Sequence, residues 1–300
     1  MRKKYFSRQV IKMKSCPYCN APGEFHFNIY ARSYYRCSQC DLLYQDVERS
    51  YEEVLAPYRN GYYSTNVIDQ IEGGRDSLYE HILNIIEKRK GVGTILDIGA
   101  GCGFFIVKAQ EKGWVVKGIE PSVQSIGVAC RDKRLDIFKG SLQEYPEKDQ
   151  FDVITFINVL DHSAAPWQEI KHAGQLLKPG GLIYIRFPNG LLHACLYRWA
   201  HKFGFEKYIV KFLVFHEFSF LPEFIKRLLS DSNFSGIAIF NSPPSKGDPH
   251  SLFLTHKFAQ YVKRTVLFIA KIVQTISFEK ILLGTSLEVI AFKDSSGNKY

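Results

Sequence analysis

No run of eighteen apolar residues in this 300-residue chain is free of charge, and a span of that length is what a membrane-crossing helix needs. The longest candidate, residues 265–276, is interrupted by Lys271. The amino-terminal stretch is basic but lacks an apolar segment, so no secretory leader is expected. Seven cysteines, an odd number spread unevenly, do not make a secreted disulfide framework. Internal repeats and low-complexity tracts are absent. With 46% apolar and 23% charged residues, the composition is that of an ordinary globular chain and excludes a disordered or fibrous one. A cytoplasmic, enzyme-sized protein is the expectation.

Acidic charge is also in short supply: 30 Asp and Glu against 39 Lys and Arg leave a net charge of +9. Six of those basic residues (Arg2, Lys3, Lys4, Arg8, Lys12 and Lys14) lie in the first fourteen positions with no acid among them. The rest of the chain carries only 9 − 6 = +3. Such an arm can touch phosphates or an anionic membrane surface, but a solvated end explains it as well. Nucleic acid is therefore a disfavoured partner, though not an excluded one.

Three regions differ in texture. Residues 16–63 are rich in Cys and Tyr, with short runs and no helical period. Residues 75–240 alternate apolar runs of strand length with amphipathic stretches, the pattern of repeated βα units around a parallel sheet. Strands are expected at Thr94–Ile98, Val115–Ile119, Leu135–Phe138, Phe151–Ile157, Leu182–Phe187 and Phe234–Phe240. Helices are expected near Phe104–Lys112, Val123–Arg131, Trp167–Leu177 and Leu221–Asp231, the last opening on a proline tolerated in a first turn. Pro243-Pro244 marks a break. Beyond it, residues 252–276 form an amphipathic stretch with Lys257, Arg264 and Lys271 on one face, suited to packing or to an anionic lipid surface. Leu191–Phe205 has the same two readings.

Two CxxC pairs, Cys16-Pro-Tyr-Cys19 and Cys37-Ser-Gln-Cys40, are separated by 17 residues. Each short turn points two thiolates at one centre, and two such turns complete a tetrahedral site. That spacer is the length of a zinc site, and four ligands leave no place for water, so Zn²⁺ here would be structural. Cys102, Cys130 and Cys195 read as buried filler. Core packing explains most of Tyr34, Tyr35, Tyr44, Tyr51, Tyr58, Tyr62 and Tyr63 as well as ligand stacking does.

The most informative stretch runs from Thr94 to Phe105. A strand leads into Asp97; Gly99, Gly101 and Gly103 then form a tight turn before a helix. Glycine permits positive φ there and lets a ligand lie against bare backbone. The spacing is GxGxG, whereas a dinucleotide loop places its third glycine one residue later. Glu120 closes the next strand, 23 residues after Asp97, where an acid accepts hydrogen bonds from ribose hydroxyls.

At these residues the chain resembles the class I S-adenosylmethionine (SAM) methyltransferases. Asp97-Ile-Gly-Ala-Gly-Cys-Gly103 is similar to their first motif, and Gly118-Ile-Glu-Pro-Ser122 to the second-strand motif. Residues 151–162 resemble the fourth-strand motif, and Leu176-Leu-Lys-Pro-Gly-Gly-Leu-Ile-Tyr-Ile185 the fifth. The likeness covers about residues 75–292. The cysteine ribbon and Tyr62-Tyr63-Ser64 extend it to the zinc-ribbon-headed branch. It implies an α/β fold, a Rossmann-like seven-stranded sheet with Leu287–Phe292 as an inserted antiparallel strand, preceded by a small zinc ribbon. Residues 1–63 would form the ribbon with its basic arm, and residues 64–300 the methyltransferase domain, with a helical insertion at about 250–278. The resemblance also implies roles. Gly99, Ala100, Gly101 and Gly103 would line SAM, with Asp97 near its amino group or an ordered water. Glu120 would hold the ribose, Pro121 or Ser122 would border the adenine, and Asn158 and Val159 would lie beside the sulfonium. Ser141, followed by Leu142, stands where the family usually places an acid for the adenine amino group. A hydroxyl accepts less strongly, and Glu144 is the nearest substitute.

Methyl transfer from a sulfonium is an in-line displacement that depends on positioning. A hydroxyl or acidic C–H acceptor also needs a base, for which His is suited near neutral pH. His162, after the fourth strand, ranks first for proximity to the donor; His216 ranks first as a substrate-facing base. No [DN]PP[YFW] sequence follows strand four, so the resemblance points to O- or C-methylation of a small-molecule acceptor: a sugar, a lipid-linked glycan or a natural-product intermediate. The alternatives are an rRNA base methyltransferase and a non-catalytic binding module on the same fold. Peripheral membrane contact, if made, would use residues 252–276.

Overall fold

The computed structural model describes residues 14–47, 49–60, 74–129, 135–146, 150–243, 265, 268, 272–277 and 281–295. The basic arm before Lys14, the expected domain boundary at 63/64, Tyr62-Tyr63-Ser64, Cys130 and most of the 250–278 insertion lie outside them. Of the insertion, residues 272–276 are helical.

The amino-terminal part forms a five-stranded antiparallel sheet. Its strands are β1 (Lys14–Ser15), β2 (Pro22–Ile29), β3 (Arg32–Cys37) and β4 (Leu43–Gln45), with β10 (Phe218–Ser219) at the far edge. β10 comes from the distant part of the chain and pairs Phe218 with Tyr44 and Ser219 with Leu43. Tyr34, Tyr35 and Tyr44 are buried, so packing accounts for them. The sequence showed no helical period here, yet α1 (Tyr51–Arg59) follows directly. Ser50 and Glu53 form a capping box that satisfies its first turn, a signal carried by two residues instead of a period.

The larger sheet has seven strands in the order β11-β12-β9-β8-β5-β6-β7. These are β5 (Thr94–Ile98), β6 (Val115–Glu120), β7 (Ile137–Lys139), β8 (Phe151–Ile157), β9 (Leu177–Pro188), β11 (Phe234–Asn241) and β12 (Ser286–Lys293). β12 is inserted antiparallel between β9 and β11, while the pairs from β9 through β7 are parallel. Alternate side chains enter opposite layers, as the two-residue strand period requires. Leu96, Ile154, Ile183 and Val289 face one core, and Ile95, Val153, Leu182 and Ile290 the other. The first layer is closed by α5 (Pro166–Leu176) and α8 (Pro222–Asp231), both with proline in the first turn. The second is closed by α2 (Asp76–Lys90) and α3 (Phe104–Glu111). Between β6 and β7 lies α4 (Val123–Ala129).

Three elements depart from the sequence reading. α2 was not expected, although Leu78, Tyr79, Ile82, Leu83 and Ile86 bury one helical face. β7 begins two residues later than expected. β9 begins at Leu177, five residues ahead of the expected start at Leu182. A register shift against β8 between Phe151 and Val153, with Gly180 at φ 67°, lets the strand run through.

The cysteine sheet shares its core with the larger one. Tyr18 meets Phe224 edge-on at 5.4 Å, and its hydroxyl donates to Asp231 Oδ2 at 2.6 Å. Phe27, Tyr34 and Leu43 pack with Ala194, Tyr197 and Leu221; Ala194 and Tyr197 belong to α6 (Gly190–Lys202), and α7 (Glu206–Ile209) follows. This docking brings α1 and residue 216 to the carboxyl edge of the large sheet.

Candidate active site

β5 ends in the glycine loop. Gly99, Gly101 and Gly103 all have positive φ (72°, 55° and 73°), which only glycine adopts freely. Gly99 and Ala100 donate backbone hydrogen bonds to Ile119 O at 2.8 and 3.0 Å, which ties the loop to β6. A Cβ on Gly99 would lie 2.4 Å from Val159 Cγ2, so the loop also rests on the residue after β8. Glu120 completes the arrangement: Oε2 accepts from Gly101 N and Oε1 from Ser122 N, each at 2.8 Å. Pro121 lies between those two amides in sequence.

Asp97 is buried under the loop and accepts from Thr155 Oγ1 at 2.6 Å. Burial, with Glu120 nearby, pushes its carboxyl up to about 7. Burial also raises Glu120, against its two backbone hydrogen bonds. Among the described residues neither acid has an ion-pair partner. Two buried acids beside bare backbone suit a cationic ligand with a vicinal diol, and SAM has a sulfonium, an ammonium and a ribose. The residues fit the donor.

Ser141 is buried, but its N–H and hydroxyl both donate to Glu144 Oε2, at 2.8 and 2.7 Å, as the cap of the 3-10 turn Leu142–Glu144. Arg59 at the end of α1 binds the other oxygen of Glu144 at 2.8 Å. Glu144 is thus held by the cap and by Arg59, while the Ser141 oxygen keeps acceptor capacity.

After β8, Asn158 has φ 58° and its Oδ1 accepts from Arg186 at 2.6 Å. Arg186 is fully buried and also donates through Nε to Ser242 Oγ at 2.8 Å; Ser242 in turn donates to buried Glu288 at 2.7 Å. His81 Nε2 lies 3.1 Å from the other Glu288 oxygen. The sequence reading passed over this network. Its signal was a charge inside each of two strongly apolar strand runs, which a buried strand does not carry without a partner.

The second cluster follows within three residues. Asp161 and His162 lie in the 3-10 turn Leu160–His162, and His216 arrives just before β10. His216 Nε2 is 3.3 Å and His162 Nε2 3.9 Å from Asp161 Oδ2, and the two rings lie 3.9 Å apart. The structure therefore brings both expected histidines together. Tyr58 of α1 meets His162 Nδ1 at 2.9 Å. Burial, with His162 adding and Asp161 opposing, pushes His216 down to about 4. Asp161, His216, Pro188 and Phe220 line a shallow indentation with no room for a water molecule.

At the opposite end of the small sheet, the four cysteines converge. Cys16 and Cys40 sulfurs are 3.6 Å apart, those of Cys19 and Cys37 3.4 Å, and all four lie within 4.8 Å of one another. A tetrahedron with ~2.3 Å metal–sulfur bonds has edges of roughly 3.8 Å. Backbone N–H groups of Gln39 and Cys40 donate to Cys37 Sγ at 3.4 Å each. The donor set fits zinc.

The sheet order, the glycine loop and the acid closing β6 together define a Rossmann-like methyl-transfer fold. The sequence model described as a methyltransferase domain matches residues 73–239, over half of the chain. The chain belongs to this family of methyltransferase domains, and its seven-stranded sheet is the class I arrangement. Among curated relatives, the ubiquinone biosynthesis O-methyltransferase of Azoarcus sp. is 30% identical over 114 residues, covering 34% of this chain and 47% of that protein. The enzyme of the same name from Coxiella burnetii is 32% identical over 109 residues, covering 34% and 47%. The chain thus spans about half the length of these relatives. Among solved structures, the 1,6-didemethyltoxoflavin-N1-methyltransferase of Burkholderia thailandensis is 14% identical with a TM-score of 0.53, covering 90% of this chain and 99% of that one. A SAM-dependent methyltransferase of Thermotoga maritima is 17% identical with a TM-score of 0.50, covering 82% and 100%. At these identities the structures show the shared fold alone. No helix among the described residues is long and apolar enough to cross a membrane.

Proposed function

We propose that this methyltransferase transfers a methyl group to an oxygen, or to an acidic carbon, of a small-molecule acceptor. The observation that carries the reading is the Asp161–His162–His216 cluster, which begins four residues beyond the end of β8. An N-methyltransferase acting on a neutral amine has little use for such a group, whereas a hydroxyl must lose its proton. The activity for which the curated relatives are named, an O-methyl transfer in ubiquinone biosynthesis, supports the same class.

SAM, when bound, supplies an electrophilic methyl on a sulfonium. In this reading Gly99, Ala100, Gly101 and Gly103 receive its methionine and ribose part, Glu120 the ribose hydroxyls, and Asp97 the ammonium end. Pro121, Ser141 and Leu142 border the adenine. Asn158, fixed by Arg186, and Val159 face the sulfonium and set the line of attack. The Asp161–His162–His216 cluster, as a unit, promotes loss of the acceptor proton. Cys16, Cys19, Cys37 and Cys40 hold a structural Zn²⁺. That ion keeps the small sheet rigid, and with it β10 and His216.

The test is a panel of acceptors incubated with SAM and assayed for S-adenosylhomocysteine and methylated product. The expected result is product with phenol-, sugar- or lipid-linked hydroxyl acceptors or acidic C–H compounds. Methylation of ribosomal RNA with none of the small acceptors turned over would contradict it.

A further inference from the structure

Asp161 stands out in its own right. Its side chain is only 3% exposed, and among the described residues neither carboxylate oxygen accepts a hydrogen bond. His216 Nε2 comes within 3.3 Å of Oδ2, but its alignment does not make a hydrogen bond. A buried carboxylate without donors is costly. Two imidazole nitrogens that approach it without bonding to it are arranged as though around a third body. We infer that Asp161, His162 and His216 form a divalent-cation site separate from the four-cysteine site.

Asp161 Oδ2 lies 3.3 Å from His216 Nε2 and 3.9 Å from His162 Nε2, and one ligand atom from each of the three residues lies within 4.8 Å of the others. That triangle is a little wider than the roughly 3–3.5 Å edges set by metal–ligand bonds of about 2.0–2.2 Å. Tyr58 at Nδ1 of His162 is the outer partner that ligating histidines commonly have, and it fixes which nitrogen faces Asp161. Two imidazoles and one carboxylate select a first-row divalent ion of the zinc or iron(II) kind over calcium or magnesium. Three protein ligands leave a position open for a further oxygen ligand.

The role of this cation rests on the acceptor-side reading above. A hydroxyl bound at the open position ionises more readily and gives its proton to solvent. The freed oxygen electron pair forms the bond to the methyl carbon, and the carbon–sulfur pair stays on sulfur as S-adenosylhomocysteine. The histidines then serve as ligands instead of as free bases.

The experiment titrates metal-stripped full-length protein with Co²⁺ and with Zn²⁺. Thiolate-bound Co²⁺ gives intense sulfur-to-metal charge-transfer absorption, while a nitrogen and oxygen site gives only weak visible bands. The expected result is two zinc ions per chain, with one cobalt equivalent showing thiolate bands and a second showing only weak ones. His216→Ala and Asp161→Asn should lose the second equivalent and keep the first. Their unchanged affinity for S-adenosylhomocysteine would show that they fold. A single metal per wild-type chain, or a second equivalent that survives both substitutions, overturns the inference. If the wild type binds one ion while His216→Ala still loses turnover, the cation fails and the acceptor-side reading stands. If the second ion binds but both variants turn over normally, the site stands and its role in the acceptor step fails.

Discussion

His216→Ala and Asp161→Asn are each expected to lower turnover by about 10²- to 10⁴-fold, the range of acid–base assistance to a reacting group. S-adenosylhomocysteine affinity should change by no more than about twofold, because neither residue belongs to the glycine loop or to Glu120. The split between catalysis and donor binding separates an acceptor-side role from a general loss of structure. Asp161→Asn sharpens the point. Its carboxylate has no hydrogen-bond partner among the described residues, so in the metal-free protein the neutral amide removes a buried charge and should not lower the melting temperature. Stability held while turnover is lost marks a group kept for chemistry. Normal turnover in both variants would remove the cluster from the reaction.

Glu120→Ala is expected to weaken SAM binding by about 10- to 100-fold, equivalent to about 1.5–3 kcal/mol for a hydrogen bond to a charged group. The structure adds an indirect component, since the same carboxylate holds the amides of Gly101 and Ser122 at 2.8 Å. Glu120→Gln distinguishes the two effects. Glutamine keeps the shape but turns an NH₂ toward one of those amides, so the loop shifts even though a ribose acceptor remains. Both variants should therefore bind weakly, the alanine more so. The free protein should also lose affinity as pH falls through about 7, where the buried Asp97 carboxyl takes up a proton and stops attracting the cationic donor. Affinity equal to wild type in Glu120→Ala would show that the ribose is held elsewhere.

How much of this was legible in the sequence depended on whether the signal was local. The glycine loop, Asp97 and Glu120 could be read because one strand, one turn and the end of the next strand carry them. The inserted antiparallel β12 followed from the resemblance. Both histidines were found as types near the right edge, but not as neighbours. His162 and His216 are 54 positions apart, and only the pairing of β10 with β4 sets the second against the first. Tyr58 was hidden in a run of tyrosines that mostly pack, and α1, which carries it, was announced by a two-residue cap. Arg186 and Glu288 sat inside apolar strands, opposite one another across β9 and β12. Their charges were visible in the sequence, but which group each would meet was not. The identity of the acceptor has no local signature at all, since the residues that would meet it come from distant parts of the chain.

Isothermal titration of the purified full-length chain with S-adenosylhomocysteine tests the central claim most directly. The account predicts saturable one-to-one binding with a dissociation constant in the micromolar range, weakened in Glu120→Ala. A wild-type protein that gives no binding heat, and no displacement of labelled SAM, at millimolar ligand would contradict it.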